Sequence, residues 1–244
     1  MPEPAPLALP RLERGVVHVY WFATDLATTR QEELAPLLDP GERARAERFH
    51  FPRDRGRFVA AHATLRTILG LYTEQAPDRL EFDTGPYGKP ALRLAAGAPP
   101  LRFNLSRSAG IGVVGIGLVE ELGIDVERVR PLEDGLAIAE QMFTEEEHRA
   151  LRAIPERDQP AAFFRYWTRK EAVVKSLGLG LSHPLDAFSL SPGSVAAQCV
   201  ELAREGASTV CWILPVPALR EGCVAALATT APPPSVHCWD WPGT

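Results

Sequence analysis

Two stretches decide the fold: GIDVE at residues 123–127 and FFRYWTRKEAVVK at residues 163–175. In the first stretch, apolar residues alternate with Asp125 and Glu127, which is the two-residue period of a strand with both carboxylates on one face. In the second stretch, apolar residues recur at helical spacing, and Gly178 ends the predicted helix. A strand followed by a long helix indicates a fold of the α/β (α+β) class.

The charged side chains of these two elements indicate a metal and phosphate site. Asp125 and Glu127 repel each other on one strand face unless a cation or solvent separates them. Trp167, Glu171 and Lys175 are spaced four residues apart and therefore line one face of the helix. Three carboxylates together with phosphate and water oxygens suit Mg²⁺. Two simpler explanations stay open: a hairpin with one solvated face, and a Glu–Lys pair that stabilises the helix.

Hydrophobic patterning predicts the remaining elements. Strands are predicted at residues 16–22, 91–94, 113–119, 123–129, 188–190, 210–214 and 223–229, and helices at 32–38, 40–48, 55–72, 136–142 and 163–177. Thr144 and Glu147 form a predicted capping box at the start of a further helix. Residues 103–108 are polar and predicted to be irregular, and residues 120–121 are predicted as a hairpin turn.

Composition and charge narrow the class of protein. The chain has 244 residues, 45% of them hydrophobic, and its net charge of −5 argues against nucleic acid as the main partner. No apolar run reaches the roughly 20 residues that span a bilayer, and the amino terminus lacks the pattern of a secretion signal. The four cysteines lack paired metal spacing and are expected as free thiols. We therefore expect a cytoplasmic protein without a membrane partner.

Several motifs in a fixed order resemble one family. They are YGKPAL at 87–92, FNLS at 103–106, GIDVE at 123–127, WTRKEAVVKSLGLGL at 167–181 and GLSHPLDAFSL at 180–190. Together they are similar to the 4′-phosphopantetheinyl transferase superfamily, in particular its larger, pseudo-dimeric, Sfp-like type. The resemblance implies two similar halves, residues 1–119 and 120–244, each with a small, mainly antiparallel sheet and a long helix. It also implies an active site in the cleft between them.

The resemblance also assigns roles to individual residues. It implies transfer of the phosphopantetheine arm of coenzyme A to a serine of an acyl or peptidyl carrier protein, with release of 3′,5′-ADP. The expected Mg²⁺ ligands are Asp125, Glu127 and Glu171, and the expected catalytic residues are Glu171, Lys175 and Glu127. The residues expected to bind coenzyme A are Arg45, Arg48, Arg57, Lys89, Pro90, Ser106, Arg107, Asp125 and Lys175. The choice of general base between Glu127 and Glu171 stays open.

The chain departs from the family pattern at Arg107, where a histidine usually follows the serine. Arginine can bind a phosphate bidentately and stays charged, whereas histidine titrates near neutral pH. Because of Arg107, a coenzyme- or carrier-binding module without turnover stays open beside the transferase. A Mg²⁺-dependent phosphohydrolase also stays open, since it would use the same carboxylates with water as the acceptor. The class of carrier, whether for fatty acids, polyketides or nonribosomal peptides, also stays open. We expect a monomer, because two fused halves have less need to dimerise.

Three further sequence features are assigned no catalytic or coenzyme-binding role. GIGVVG at residues 110–115 matches a dinucleotide-binding fingerprint but runs into strand sequence instead of opening a helix, so a Rossmann site is rejected. His62 lies in a predicted long helix and is expected to pack there. Trp239 and Trp241 either bind a partner or belong to a strand that closes the fold.

Overall fold

Ten strands and six α-helices make up the secondary structure of the computed structural model, which describes residues 9–180, 183–191, 196–204, 207–230 and 232–242. The strands are β1 (Val16–Ala23), β2 (Phe82–Thr84), β3 (Pro90–Leu92), β4 (Arg102–Ser108), β5 (Ile111–Gly117), β6 (Leu122–Arg128), β7 (Gln198–Arg204), β8 (Ala207–Val216), β9 (Cys223–Thr229) and β10 (Ser235–Asp240). The helices are α1 (Thr28–Leu34), α2 (Pro40–Glu47), α3 (Pro52–Thr73), α4 (Gly135–Met142), α5 (Glu145–Arg152) and α6 (Gln159–Leu177). The mixed α+β class predicted from the sequence is confirmed.

The strands form two four-stranded sheets and one small hairpin. The first sheet has the order β10-β1-β5-β4, the second has the order β6-β9-β8-β7, and β2 pairs with β3. The chain follows a similar path through both large sheets: a strand, then a long helix, then a hairpin whose second strand pairs with the first strand. In the first sheet these elements are β1, α3, β4 and β5, and in the second they are β6, α6, β8 and β9. The two sheets thus share one order of connections, and the two similar halves implied by the resemblance stay a prediction.

The carboxyl-terminal strand joins the first sheet. β10 pairs parallel with β1, with His237 opposite His18 and Trp239 opposite Tyr20. Of the two alternatives for Trp239, the structure therefore shows the strand. The division into residues 1–119 and 120–244 stays a prediction, although this pairing places the last strand of the second segment in the sheet of the first.

A close approach between β6 and α6 sets the geometry of the second half. Gly123 lies so near α6 that a Cβ atom would stand 2.1 Å from the backbone oxygen of Ala172 and 2.3 Å from the backbone nitrogen of Ser176. Only a residue without a side chain permits this contact. The strand with Asp125 and Glu127 therefore lies directly against the helix with Glu171 and Lys175.

The prediction that residues 103–108 are irregular is wrong, because they form β4. Asn104, Ser106 and Ser108 suggest a loop by composition, but they alternate with Phe103 and Leu105. Phe103 packs into the apolar core of the first half, whereas the polar side chains hydrogen-bond β6. The predicted hairpin at residues 120–121 is also wrong, since β6 leaves the first sheet and pairs with β9.

Residues 188–190 do not form the predicted strand. The backbone N–H of Leu190 donates instead to Glu147 at 2.7 Å, because the buried carboxylate of that residue needs donors. Several other predictions are confirmed: the Thr144–Glu147 capping box, the left-handed Gly178 at the end of α6 with φ 64°, and a strand at residues 111–117. All four cysteines are free. Within the described ranges, no helix has both the length and the apolar character to cross a bilayer.

Candidate active site

Asp125 lies at the centre of the site, on β6 and only 4% exposed. Its Oδ1 atom accepts hydrogen bonds from Lys175 Nζ at 2.6 Å and Ser106 Oγ at 2.7 Å. Its Oδ2 atom is buried and has no hydrogen-bond partner among the described residues. Burial raises the pKa of Asp125 above its ordinary value, although Lys175 opposes this shift. The site therefore contains a carboxylate oxygen that a further ligand could satisfy.

Glu127 and Glu171 belong to the same electrostatic cluster. Glu127 accepts a hydrogen bond from Ser108 at 2.5 Å, and Glu171 is 8% exposed on α6. Burial is the largest cause of the raised pKa of both groups, and the charge of Asp125 raises each of them further. The structure thus brings the three predicted carboxylates close enough to oppose each other's ionisation.

The chemistry of this cluster fits the magnesium ion that the sequence predicts. Three hard carboxylate ligands that repel one another are stabilised by a divalent cation, and Mg²⁺ ordinarily takes only some of its oxygen ligands from the protein. The Oδ2 atom of Asp125, which is buried and has no hydrogen-bond partner among the described residues, is the clearest candidate for a metal ligand. As they stand, no three His, Cys, Asp or Glu side chains in the described ranges form a ready-made metal cage. Oxygens from a substrate and water would have to complete such a site.

Lys175 and Ser106 link the helix of the second half to the edge of the first sheet. Lys175 Nζ donates to Ser106 Oγ at 3.0 Å and to Asp125 at 2.6 Å. Its side chain keeps 28% of its surface exposed and lines a cavity beside Lys89 and Pro90. The predicted contact of Ser106 with coenzyme phosphates is untested, and in this structure its hydroxyl hydrogen-bonds within the carboxylate cluster.

A cavity of about 190 Å³ adjoins the cluster on the side of Lys89 and Pro90. Glu171 and Lys175 also line it. Lys89 donates to Glu121 at 2.8 Å and to the backbone oxygen of Ser176 at 2.6 Å. Burial lowers the pKa of Lys89 below its ordinary value. The YGKP turn therefore places an ammonium group beside the carboxylate site.

A second cavity, of about 310 Å³, is lined by Arg57 and Arg107. Arg57 forms a bidentate ion pair with Asp25, at 2.5 and 2.8 Å. Arg107 lies 5.5 Å from the ring centre of Phe58, and Arg45 lies 5.4 Å from the same centre. Burial lowers the pKa of Arg107, and the nearby charge of Arg45 lowers it further. Like charges held together in this way favour binding of an anion.

One predicted coenzyme residue lies apart from this basic group. Arg48 is exposed at the carboxyl end of α2. It is not among the residues that line the cavity of Arg57 and Arg107, and its side chain forms no ion pair, hydrogen bond or cation–ring contact with any described residue. His62, by contrast, packs as predicted, stacked on Phe58 with 4.0 Å between ring centres.

Comparison with known proteins identifies the family. A model described as the 4′-phosphopantetheinyl transferase superfamily matches residues 121–226. The chain is 34% identical over 228 residues to the 4′-phosphopantetheinyl transferase HetI of Nostoc sp., an alignment that covers 93% of this chain and 92% of that relative. The chain belongs to the 4′-phosphopantetheinyl transferase superfamily. It is also similar to the transferase Sfp of Bacillus subtilis, with 30% identity over 68% of this chain and 71% of Sfp. A third similar protein is the transferase psf-1 of Bacillus pumilus, with 37% identity over 65% of either chain.

The superfamily match covers β6 and α6, and thus Asp125, Glu127, Glu171 and Lys175. Lys89 and the arginines of the first half lie outside that match. The roles predicted for all of these residues stay predictions, because the match identifies a family and not the function of a side chain.

The sequence analysis of this superfamily member missed one residue beside the site and one charged residue buried in the core. Ser108 hydrogen-bonds Glu127, and its spacing of two from Ser106 would have indicated this if β4 had been predicted as a strand. Lys170 is fully buried and forms an ion pair with Glu147 at 2.9 Å. Its only sequence signal is its place in the apolar pattern of α6, where a lysine is unexpected.

Proposed function

We propose that this protein transfers the 4′-phosphopantetheine arm of coenzyme A to a serine hydroxyl of an apo acyl or peptidyl carrier protein. A bond forms between the serine oxygen and the phosphorus that bears the pantetheine, while the bond from that phosphorus to 3′,5′-ADP breaks. The observation that carries the proposal is the carboxylate cluster of Asp125, Glu127 and Glu171 with Lys175 beside it. It lies in a chain of which 93% aligns with a named transferase.

The side chains of the cluster supply charge neutralisation and a base. Lys175 and Lys89 donate to the pyrophosphate and stabilise the negative charge that develops on 3′,5′-ADP as it leaves. Glu127 or Glu171 accepts the proton of the carrier serine, and a raised pKa makes either carboxylate a better base. Magnesium, bound through Asp125, Glu127 and Glu171, would neutralise further charge on the pyrophosphate.

The basic cavity of the first half suits the remaining phosphate of coenzyme A. Arg57 and Arg107 line it, the charge of Arg45 acts on Arg107, and a guanidinium binds a phosphate bidentately. Arg107 in place of the usual histidine keeps this charge at every physiological pH. Pro90 lines the smaller cavity together with Lys89, Glu171 and Lys175, and we propose that it contacts the coenzyme there.

The alternatives raised by the sequence gain no support. A phosphohydrolase would need no carrier protein, and a binding module would need no base, yet the relatives are named as transferases. We further propose that the chain acts as a monomer, with both phosphate sites contributed by the same chain.

The decisive experiment is the intact mass of an apo carrier protein after incubation with this protein, coenzyme A and MgCl₂. Carriers from fatty-acid, polyketide and nonribosomal-peptide synthesis serve as three parallel substrates. We expect one of them to gain one phosphopantetheine group. Glu171→Gln should abolish the gain, whereas Glu140→Gln, which alters an exposed carboxylate on α4, should leave it unchanged. Unmodified carriers throughout, with coenzyme A still bound, would refute the transferase.

A further inference from the structure

The two large sheets meet through side chains instead of backbone pairing. β4 is an edge strand of the first sheet, and β6 is an edge strand of the second. Each backbone N–H on the free side of β6 would lack a partner unless a neighbouring group accepted it. Three side chains of β4, spaced two residues apart, accept those hydrogen bonds. The pairs are Asn104 with the N–H of Ile124 at 2.9 Å, Ser106 with that of Val126 at 3.4 Å, and Ser108 with that of Arg128 at 3.2 Å.

The two serines of this side-chain ladder also contact the carboxylates of the site. Each serine hydroxyl has one proton, and the acceptor role toward β6 leaves that proton free to be donated. Ser106 donates it to Asp125 at 2.7 Å, and Ser108 donates it to Glu127 at 2.5 Å. Each serine thus accepts from one backbone N–H of β6 and donates to the carboxylate of the residue before it: Ser106 bridges Val126 and Asp125, and Ser108 bridges Arg128 and Glu127.

Ser108 is the member of the ladder whose role can be isolated. Ser106 also contacts Lys175, so its removal would disturb several groups at once. Ser108 contacts Glu127 and the backbone of Arg128, and apart from Ser108 the nearest polar partner of Glu127 is Arg130 at 3.9 Å. Among the described residues, the Ser108 hydroxyl is thus the only group that forms a close hydrogen bond with the Glu127 carboxylate and orients it.

We propose that Ser108 is a positioning residue that fixes the Glu127 carboxylate for binding the metal–coenzyme complex. This inference rests on the proposed function, since it assumes that Glu127 is a magnesium ligand or base. Groups that orient a metal ligand typically contribute 10- to 100-fold in metal affinity or activity, roughly the range we expect here. The hydroxyl matters more than the size of the residue, because it both accepts from β6 and donates to Glu127.

The test compares Ser108→Ala with Ser108→Thr, which keeps the hydroxyl on a strand-compatible residue. Ser208→Ala is the matched control, because Ser208 also donates to a glutamate, Glu201, but both residues are exposed and lie on the paired strands β7 and β8. Calorimetric titration of MgCl₂ into each variant with coenzyme A present gives the metal affinity, and urea unfolding gives the stability. Carrier modification gives activity as a function of magnesium concentration.

Ser108→Ala should weaken magnesium binding roughly tenfold or more, and shift the magnesium dependence of activity equally. Ser108→Thr should recover most of the loss, and Ser208→Ala should match the wild type. Equal magnesium affinity for Ser108→Ala and the wild type would overturn the inference, as would a threonine variant as defective as the alanine variant. If the wild type modifies no carrier, the proposed function itself fails, which separates the two outcomes.

Discussion

The buried ion pair of Lys170 and Glu147 gives the sharpest test of what holds α6 in place. Neither side chain has any exposed surface, and Lys170 Nζ lies 2.9 Å from Glu147 Oε2. The same ammonium group donates to the backbone oxygens of Leu185 and Phe188, both at 2.7 Å. It therefore fastens the segment after α6 to the helix that bears Glu171. Burial lowers the pKa of Lys170, with Glu147 opposing that shift.

Replacing Lys170 by methionine keeps most of the packing volume but leaves the Glu147 carboxylate without its cation. Removal of one member of a buried pair costs about 3–5 kcal/mol in free energy of unfolding. For a chain of this length that loss lowers the melting temperature by roughly 6–20 °C. The carboxylate keeps donors from the backbone of Thr144 and Leu190, so we expect a destabilised fold and not a different one.

Urea unfolding followed by circular dichroism measures this loss, provided that the transition of each variant is reversible. The double variant Lys170→Met/Glu147→Gln removes the unpaired charge and should recover part of the stability, because a neutral amide costs less to bury than a carboxylate. Arg149→Met serves as a comparison, since the ion pair of Arg149 with Glu145 is exposed on both sides. A loss below about 1 kcal/mol for Lys170→Met, the range of an exposed pair, would refute the reasoning.

Three further predictions follow from single features. Arg107→Ala should raise the KM for coenzyme A by roughly tenfold or more, because a charged hydrogen bond to the 3′-phosphate is lost. The KM for 3′-dephospho-coenzyme A, which lacks this phosphate, should stay unchanged. Equal effects on both substrates would contradict the assignment of Arg107 to the 3′-phosphate. The folded-state pKa of His18 is about 4, below its ordinary 6.5, because of burial first and of His237 second. The unfolded chain therefore binds more protons between those values, and stability should fall by about 2 kcal/mol from pH 8 to pH 5, a loss absent in His18→Gln unfolding curves. Gly123→Ala should push β6 away from the backbone of Ala172 and abolish carrier modification. Full activity of this variant would show that the contact is looser than the structure indicates.

Short-range periodicity was enough to predict the central pair of elements. The alternation around Asp125 and the helical spacing of Glu171 and Lys175 depend only on neighbouring residues, and a strand and a helix each impose one period. The capping box at Thr144 and the glycine end of α6 are equally local signals. In β6 and α6, local signals were enough to predict the type of element and the face on which a side chain lies.

The partners of each strand could not be predicted in this way. β6 follows β5 after a short turn, which favours a hairpin, yet it pairs with β9, almost a hundred residues later. The polar residues of β4 suggested a loop because hydrogen bonding of Ser106 and Ser108 to another sheet has no local pattern. The parallel pairing of β10 with β1 likewise joins the two ends of the chain.

These long-range contacts are also the ones that assemble the site. Asp125 and Glu127 lie on the edge of one sheet, and the serines that hydrogen-bond them lie on the edge of the other. An edge strand paired by backbone would have buried its N–H groups in a ladder and left no room for side chains there. Because β4 contributes side chains instead, the junction has space for Asp125 and Glu127. Burial raises the pKa of both carboxylates. Separate sheets therefore let the carboxylates of one edge strand and the serine hydroxyls of the other lie together at one junction.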